Sequence, residues 1–130
     1  MIHTDELLWQ EIEQIKRAIG MLRAPTMPGE YDLHALINEA LTHAGIEHTH
    51  EYRLAPRCRI DFKAGRIGIE VKKGKPDART LAAQITRYLA SEELSALVVV
   101  MQRAVSVPER IGGKPVIVVS LNRLWGVALP

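Results

Sequence analysis

Residues 59–75 read RIDFKAGRIGIEVKKGK, and this stretch decides the fold. It alternates in the manner of two strands joined by a tight turn at Ala64–Gly65. Yet it sets carboxylates at Asp61 and Glu70 and an amine at Lys72, where half-buried strands favour apolar side chains. Residues two apart on a strand share a face. Ile67, Ile69 and Val71 therefore fall on one face of the second strand, and Gly68, Glu70 and Lys72 on the other. On the first strand Cys58, Ile60 and Phe62 take core parity, and Arg59, Asp61 and Lys63 oppose them. Pairing through the turn brings Asp61 and the Glu70–Lys72 face to one side of the sheet, with Gly68 leaving space there.

Two carboxylates a few ångströms apart repel each other, and a divalent cation between them relieves that. Hard oxygen donors suit magnesium, which uses one or two carboxylates, keeps waters and meets substrate phosphate. Such an ion can activate water and stabilise charge on a phosphate. Lys72 alongside can orient that water or neutralise the developing charge. These are the parts of a phosphodiesterase site. The plainer reading is an acid at a strand end and a Glu70–Lys72 ion pair on a solvent face.

Outward from this stretch, the chain has 130 residues, 47% hydrophobic and 25% charged, which fits one globular domain. The apolar positions Leu8, Ile12, Ile15, Ile19 and Leu22 predict an amphipathic helix starting at Asp5, capped by Thr4. "APTMPG" ends it. A second helix is predicted from about Glu30 to His43, stopped at Gly45. A weak strand precedes Pro56, and a third helix spans Arg79–Ser91. "ALVVVMQ" and "PVIVVSL" have the continuous apolar character of strands covered on both faces. The order helix, helix, three strands, helix, two strands predicts an α/β domain. Its mixed central sheet is flanked by helices, and the strands either side of the third helix are parallel.

Charge is uneven. Arg53 to Arg87 holds ten Lys/Arg against three Asp/Glu, a net +7, while the rest holds seven against twelve, a net −5. A basic centre in an acidic frame suits a polyanion, and Arg57, Arg59, Lys73, Lys75, Arg79 and Arg87 are the candidate phosphate contacts. The single cysteine, Cys58, excludes an internal disulfide framework and any multi-cysteine zinc site. His43, His48 and His50 cluster after the second helix, and a zinc site there would need a further ligand. No apolar run is long enough to span a membrane, and the acidic N-terminus is unlike a signal peptide, so a cytoplasmic location is expected.

The pattern "RIDF…GIEVKKG" resembles the PD-(D/E)XK nuclease superfamily, in which an acid is followed on the next strand by acid–apolar–lysine. Asp61, Glu70 and Lys72 fill those positions. Arg59-Ile60 stands where many members carry proline before the aspartate. The resemblance implies a restriction-endonuclease-like core in which Asp61, Glu70 and the Val71 carbonyl bind Mg²⁺ or Mn²⁺ and Lys72 activates the attacking water. A glutamate on the preceding helix often completes that site. Glu30 and Glu39 are the candidates, and Glu30 continues the inward line of Leu33, Ile37 and Leu41. Its "E-x-x-L" start is similar to that of Holliday-junction resolvases. Gln84 and Tyr88 match the Q-x-x-x-Y element of RecB-like members. The resemblance covers about Glu30 to Met101 and leaves residues 1–24 outside its motifs. It implies a metal-dependent nuclease, with DNA the expected substrate over RNA. Separately, the apolar positions Leu8, Trp9 and Ile12 of the N-terminal helix leave two options, packing on its own domain or on a second copy as a homodimer. The alternatives are a non-cutting nucleic-acid-binding module and a partner-docking component of a repair complex.

Overall fold

The computed structural model describes residues 2–23 and 32–126 of the chain, with side chains from Glu6 onward. Helix α1 (Ile2–Gly20) leads to α2 (Leu33–His43), and three strands follow, β1 (Thr49–Ala55), β2 (Cys58–Ala64) and β3 (Ile67–Lys72). Helix α3 (Ala78–Leu89) crosses to β4 (Ala96–Met101). The two-residue β5 (Arg110–Ile111), β6 (Lys114–Ser120) and the single turn α4 (Leu121–Leu124) complete the order. The strands form one mixed sheet, β1-β2-β3-β4-β6-β5. β1 with β2 and β2 with β3 pair antiparallel, β3, β4 and β6 are parallel, and β5 pairs antiparallel with β6. The domain is thus the expected α/β arrangement, and the crossover through α3 joins parallel strands as anticipated.

Local boundaries differ where short-range chemistry decides them. The first helix begins at Ile2, so Thr4 lies inside it and does not cap it. The second helix begins at Leu33. Its cap is Asp32, whose carboxylate accepts from the backbone N–H groups of His34 at 2.9 Å and Ala35 at 3.3 Å. The β2–β3 turn is Gly65-Arg66, with Gly65 at φ 60, a conformation that glycine adopts without a Cβ penalty. β5 was not anticipated, because two residues carry no periodicity.

The sheet has two apolar faces. α1 and α2 cover one, where Leu8, Ile12, Ile15, Ile19, Leu33, Ile37 and Leu41 meet Phe62, Ile67, Ile69, Val71, Val98 and Val100. α3 covers the other, where Leu81, Ile85, Tyr88 and Leu89 meet Ile60, Leu97, Val99 and Val116. Each fully buried Ile or Leu contributes roughly 2 kcal/mol. The apolar line of α1 is thereby spent inside its own domain, leaving Leu7 and Trp9 exposed. No helix among the described residues is long and apolar enough to cross a membrane.

Candidate active site

The site begins with a break in alternation. The backbone ladder between β2 and β3 runs through Ala64–Ile67 and Lys63–Gly68 and ends at Phe62–Ile69. On the other side of β2, His50 pairs with Phe62 and Tyr52 with Ile60, while Glu51 between them has φ 57. A non-glycine residue in the left-handed region is uncommon and kinks the strand. The outcome is visible in the packing. His50 stacks on Phe62 on the α1/α2 face, whereas Tyr52 and Ile60 join the α3 face. Cys58, Ile60 and Phe62 were expected on one face, but the strand changes face at Asp61. Nor does Gly68 leave a vacancy. A Cβ there would lie 2.4 Å from Ile60 Cδ1 and 3.0 Å from Leu94 and Leu97, so the swapped Ile60 fills that space.

Past the end of the ladder, carboxylates take over as partners. Asp61 Oδ2 accepts from the Val71 N–H at 2.7 Å, and Glu70 Oε1 accepts from the Asp61 N–H at 3.4 Å. A residue's N–H and C=O point to the same side of a strand. The Val71 carbonyl is therefore directed toward Asp61, in the gap that β2 has left. The Lys72 carbonyl points the other way and accepts from Gln102.

Glu70 is 2% exposed, the one buried charged residue among the described residues. Burial and the nearby Asp61 charge push its pKa up to about 7, against the opposing pull of Lys72 and the Tyr88 hydroxyl. Lys72 Nζ lies 3.1 Å from Glu70 Oε2. Tyr88 is itself buried, and its hydroxyl donates to the Arg59 carbonyl at 3.2 Å and reaches Glu70. Burial, then the Glu70 charge, raises its pKa well above the ordinary tyrosine range. Gln84 donates from Nε2 to the Tyr88 hydroxyl at 2.8 Å. From the α2 side, His34 Nε2 sits 3.7 Å from Asp61 Oδ2, and His34 Nδ1 shares a hydrogen bond with His50 Nε2 at 2.9 Å.

A buried carboxylate beside a second carboxylate and a strand carbonyl is an oxygen donor set that fits a hard divalent cation. The misfit of Glu70 as an anion, visible in its raised pKa, is the kind that such a cation removes.

The structure brings together Asp61, Glu70, Val71, Lys72 and Tyr88, with Gln84 one bond removed. Glu30 lies outside the described residues, and Glu39 is exposed on α2. Arg57, Arg59, Lys73, Lys75, Arg79 and Arg87 are all exposed, and Arg59 is 3.8 Å from Glu51. His34, not His43, gathers with His48 and His50 around Phe62. His34 is the residue that sequence reasoning missed. The available signal was its place four residues after Glu30 in the sequence, on the predicted second helix. Among the described residues no set of three His, Cys, Asp or Glu side chains converges as a ready-made metal cluster. A cavity lined by Glu11, Ile15, His43 and Ile67 lies beside α1, at the closed end of β3. The chain matches no protein-family model, no curated protein and no solved structure.

Proposed function

We propose that this protein is a metal-dependent phosphodiesterase acting on nucleic acid, with a restriction-endonuclease-like core of the PD-(D/E)XK type and DNA as its substrate. One observation carries the reading. Where the β2–β3 ladder opens, Asp61 accepts from the Val71 N–H, the buried Glu70 accepts from the Asp61 N–H, and Lys72 stands 3.1 Å from Glu70. A Glu70–Lys72 pair on a solvent face would be worth under about 1 kcal/mol. Here Glu70 is buried on an interior strand, where a charge is costly unless it is partnered.

Asp61, Glu70 and Val71 would hold Mg²⁺ or Mn²⁺. When bound, that ion would acidify a water and offset negative charge on the phosphate. Hydrolysis joins the water oxygen to phosphorus as the bond to a sugar oxygen breaks. One proton leaves the water and one ends on the departing oxygen. Lys72, held by Glu70, presents a cation where charge builds up on the phosphoryl oxygens. Tyr88 braces Glu70 from α3, and Gln84 braces Tyr88. Arg57, in the turn before β2, and Arg59, on β2, precede Asp61, and Lys73 and Lys75 follow Lys72. The antiparallel pairing puts all four at the site's end of the sheet. They supply sequence-independent attraction to phosphates, joined by Arg79 and Arg87 on α3.

The test is a panel of labelled linear, circular, single-stranded and branched DNA and RNA substrates with Mg²⁺ or Mn²⁺. Cleavage that is abolished in Asp61→Asn and Glu70→Gln is the expected result. Binding without cleavage of any substrate would leave only a binding module.

A further inference from the structure

We infer that the outer edge of β6, at residues 117–120, pairs antiparallel with the same edge of a second copy of this chain about a two-fold axis. The two ends of the sheet differ in how they are finished. At one end β5 pairs only with Lys114 and Pro115, and the Val116 N–H still donates to the Glu109 carbonyl at 2.9 Å. Backbone groups alternate in direction along a strand. The Val116 N–H points outward, so the N–H and C=O of Val118 point outward too, while those of Ile117 and Val119 point to β4. Beyond Val116 no strand among the described residues lies against β6 on that side. The edge there is uncharged. Val118 is exposed and borders a groove with Trp9, Val105 and Val107, and Leu124, just past the strand, is exposed as well. At the other end of the sheet, β1 carries His50, Glu51 and Arg53, is bent at Glu51 with φ 57, and slips register between Arg53 and Ala55. Charge, a kink and a bulge guard an edge against pairing, and the β6 edge has none of them.

Shape and charge select a second copy as the occupant. An antiparallel strand edge is its own complement, and a two-fold pairing closes at two chains. The register follows from what bounds the edge. β5 holds the outer side up to Val116, and α4 leaves it after Ser120. Only outward-directed residues can exchange hydrogen bonds across the new pair. Setting Val118 against its own counterpart would bring Ser120 against Val116, whose N–H is already taken. Val118 therefore faces Ser120 of the partner subunit, and the axis passes Val119. In that register the end of β5, at the exposed Glu109, meets the start of α4 in the other copy, where Arg123 is exposed. Opposite charges face each other in this way once at each end of the interface. Side chains of the added strand alternate between the Trp9 side and the Val118 side of the groove, as strand addition requires. Because the two β6 strands run in opposite directions, Glu70 and Lys72 of the two copies lie on opposite rims of the joined sheet. The interface thus stands apart from the metal-site reading.

The test is sedimentation of the full-length protein across about 1 to 100 µM, where a concentration-dependent dimer is expected. Val118→Pro deletes an N–H that points away from β4, so the bonds of the sheet itself survive. It should shift the protein to monomer with an unchanged circular dichroism spectrum. Glu109→Arg should weaken the dimer about tenfold, and adding Arg123→Glu should restore it. In a Cys58→Ser background, Val119→Cys should oxidise to a covalent dimer, since paired residues across the axis stand about 4.5 Å apart at Cα. Val118→Cys should not, because it lies diagonal to its counterpart at roughly 7 to 8 Å. A protein that is monomeric throughout the range overturns the inference, and so does a dimer that persists in folded Val118→Pro. A dimer that Glu109→Arg leaves unchanged, or that Arg123→Glu fails to restore, overturns it as well. If Val118→Pro does not fold, the charge exchange and the crosslink decide the matter.

Discussion

The two halves of β3 are built from the same alternating pattern and do opposite things. From Ile67 to Ile69 the strand is paired on both sides, with β2 and β4; Ile67 and Ile69 join the core under α1 and α2, and Gly68 lies against Ile60, Leu94 and Leu97 on the α3 face. From Glu70 to Lys72 the pairing with β4 continues, but β2 has ended its ladder and two carboxylates bind the backbone in its place. Closed pairing leaves a strand nothing to offer a ligand. Open pairing leaves that edge of β3 without a strand and brings Glu70 inside, where Lys72 and the Tyr88 hydroxyl oppose the cost of burying its charge. The kink at Glu51 and Asp61 separates the two regimes.

Crowding at the closed end should give the largest stability effect. Gly68→Val places three methyl-scale groups against Ile60, Leu94 and Leu97, with the first already at 2.4 Å. Overpacking of this kind costs about 3 kcal/mol. Urea unfolding should show it, and divalent affinity in the folded fraction should stay unchanged. Loss of the metal site with stability intact would mean that the halves are not separate.

At the open end, Lys72→Ala should slow single-turnover cleavage by about a hundredfold, the scale of one preorganised charge-stabilising group. DNA affinity measured in Ca²⁺ should hold. A variant that cuts at the wild-type rate once bound would reduce Lys72 to a phosphate clamp.

Glu70 also gives the metal-free protein a pH signature. Its pKa is raised in the folded state, chiefly by burial, so the folded state holds the proton more tightly than the unfolded one. The associated stability is full below the unfolded value, near pH 4.5, and is lost as pH rises through about 7. Thermal or urea unfolding between pH 5 and 8 should reveal a decline on the order of 2 kcal/mol, reduced in Glu70→Gln. A decline of equal size in that variant would place the titrating group elsewhere.

The smallest effect belongs to the rim. Changing both Lys73 and Lys75 to Ala should weaken DNA binding and flatten its salt dependence by up to about two units of slope. Cleavage of bound substrate should continue. A change in rate with no change in slope would move those lysines into the chemistry.

Much of this was legible in the sequence. The parity of Ile67, Ile69 and Val71 fixed one face of β3, and the apolar runs of β4 and β6 announced covered parallel strands. The proximity of Asp61 to Glu70 followed from face parity; the turn, placed one residue early, shifts the pairing by two residues and so leaves that parity intact. The change of face at Asp61 was not legible, because strict alternation offers no sign that Glu51 adopts a left-handed backbone. Phe62 and His50 lie on one side of that kink and Ile60 on the other. His34 stayed hidden for the same reason, since its partners Asp61 and His50 meet it only across the kink. Gly68 was read as space for a ligand, whereas it makes room for Ile60.

The most direct measurement is calorimetric titration of Mn²⁺ into the wild type, Asp61→Asn and Glu70→Gln, with circular dichroism to establish that all three are folded. The open end of β3 predicts saturable binding in the wild type and its loss in both variants, accompanied by a fall of about a thousandfold or more in cleavage, since such an ion supplies several kcal/mol. Unchanged Mn²⁺ binding in both folded variants would contradict the account, because the ion would then sit somewhere other than between these two carboxylates.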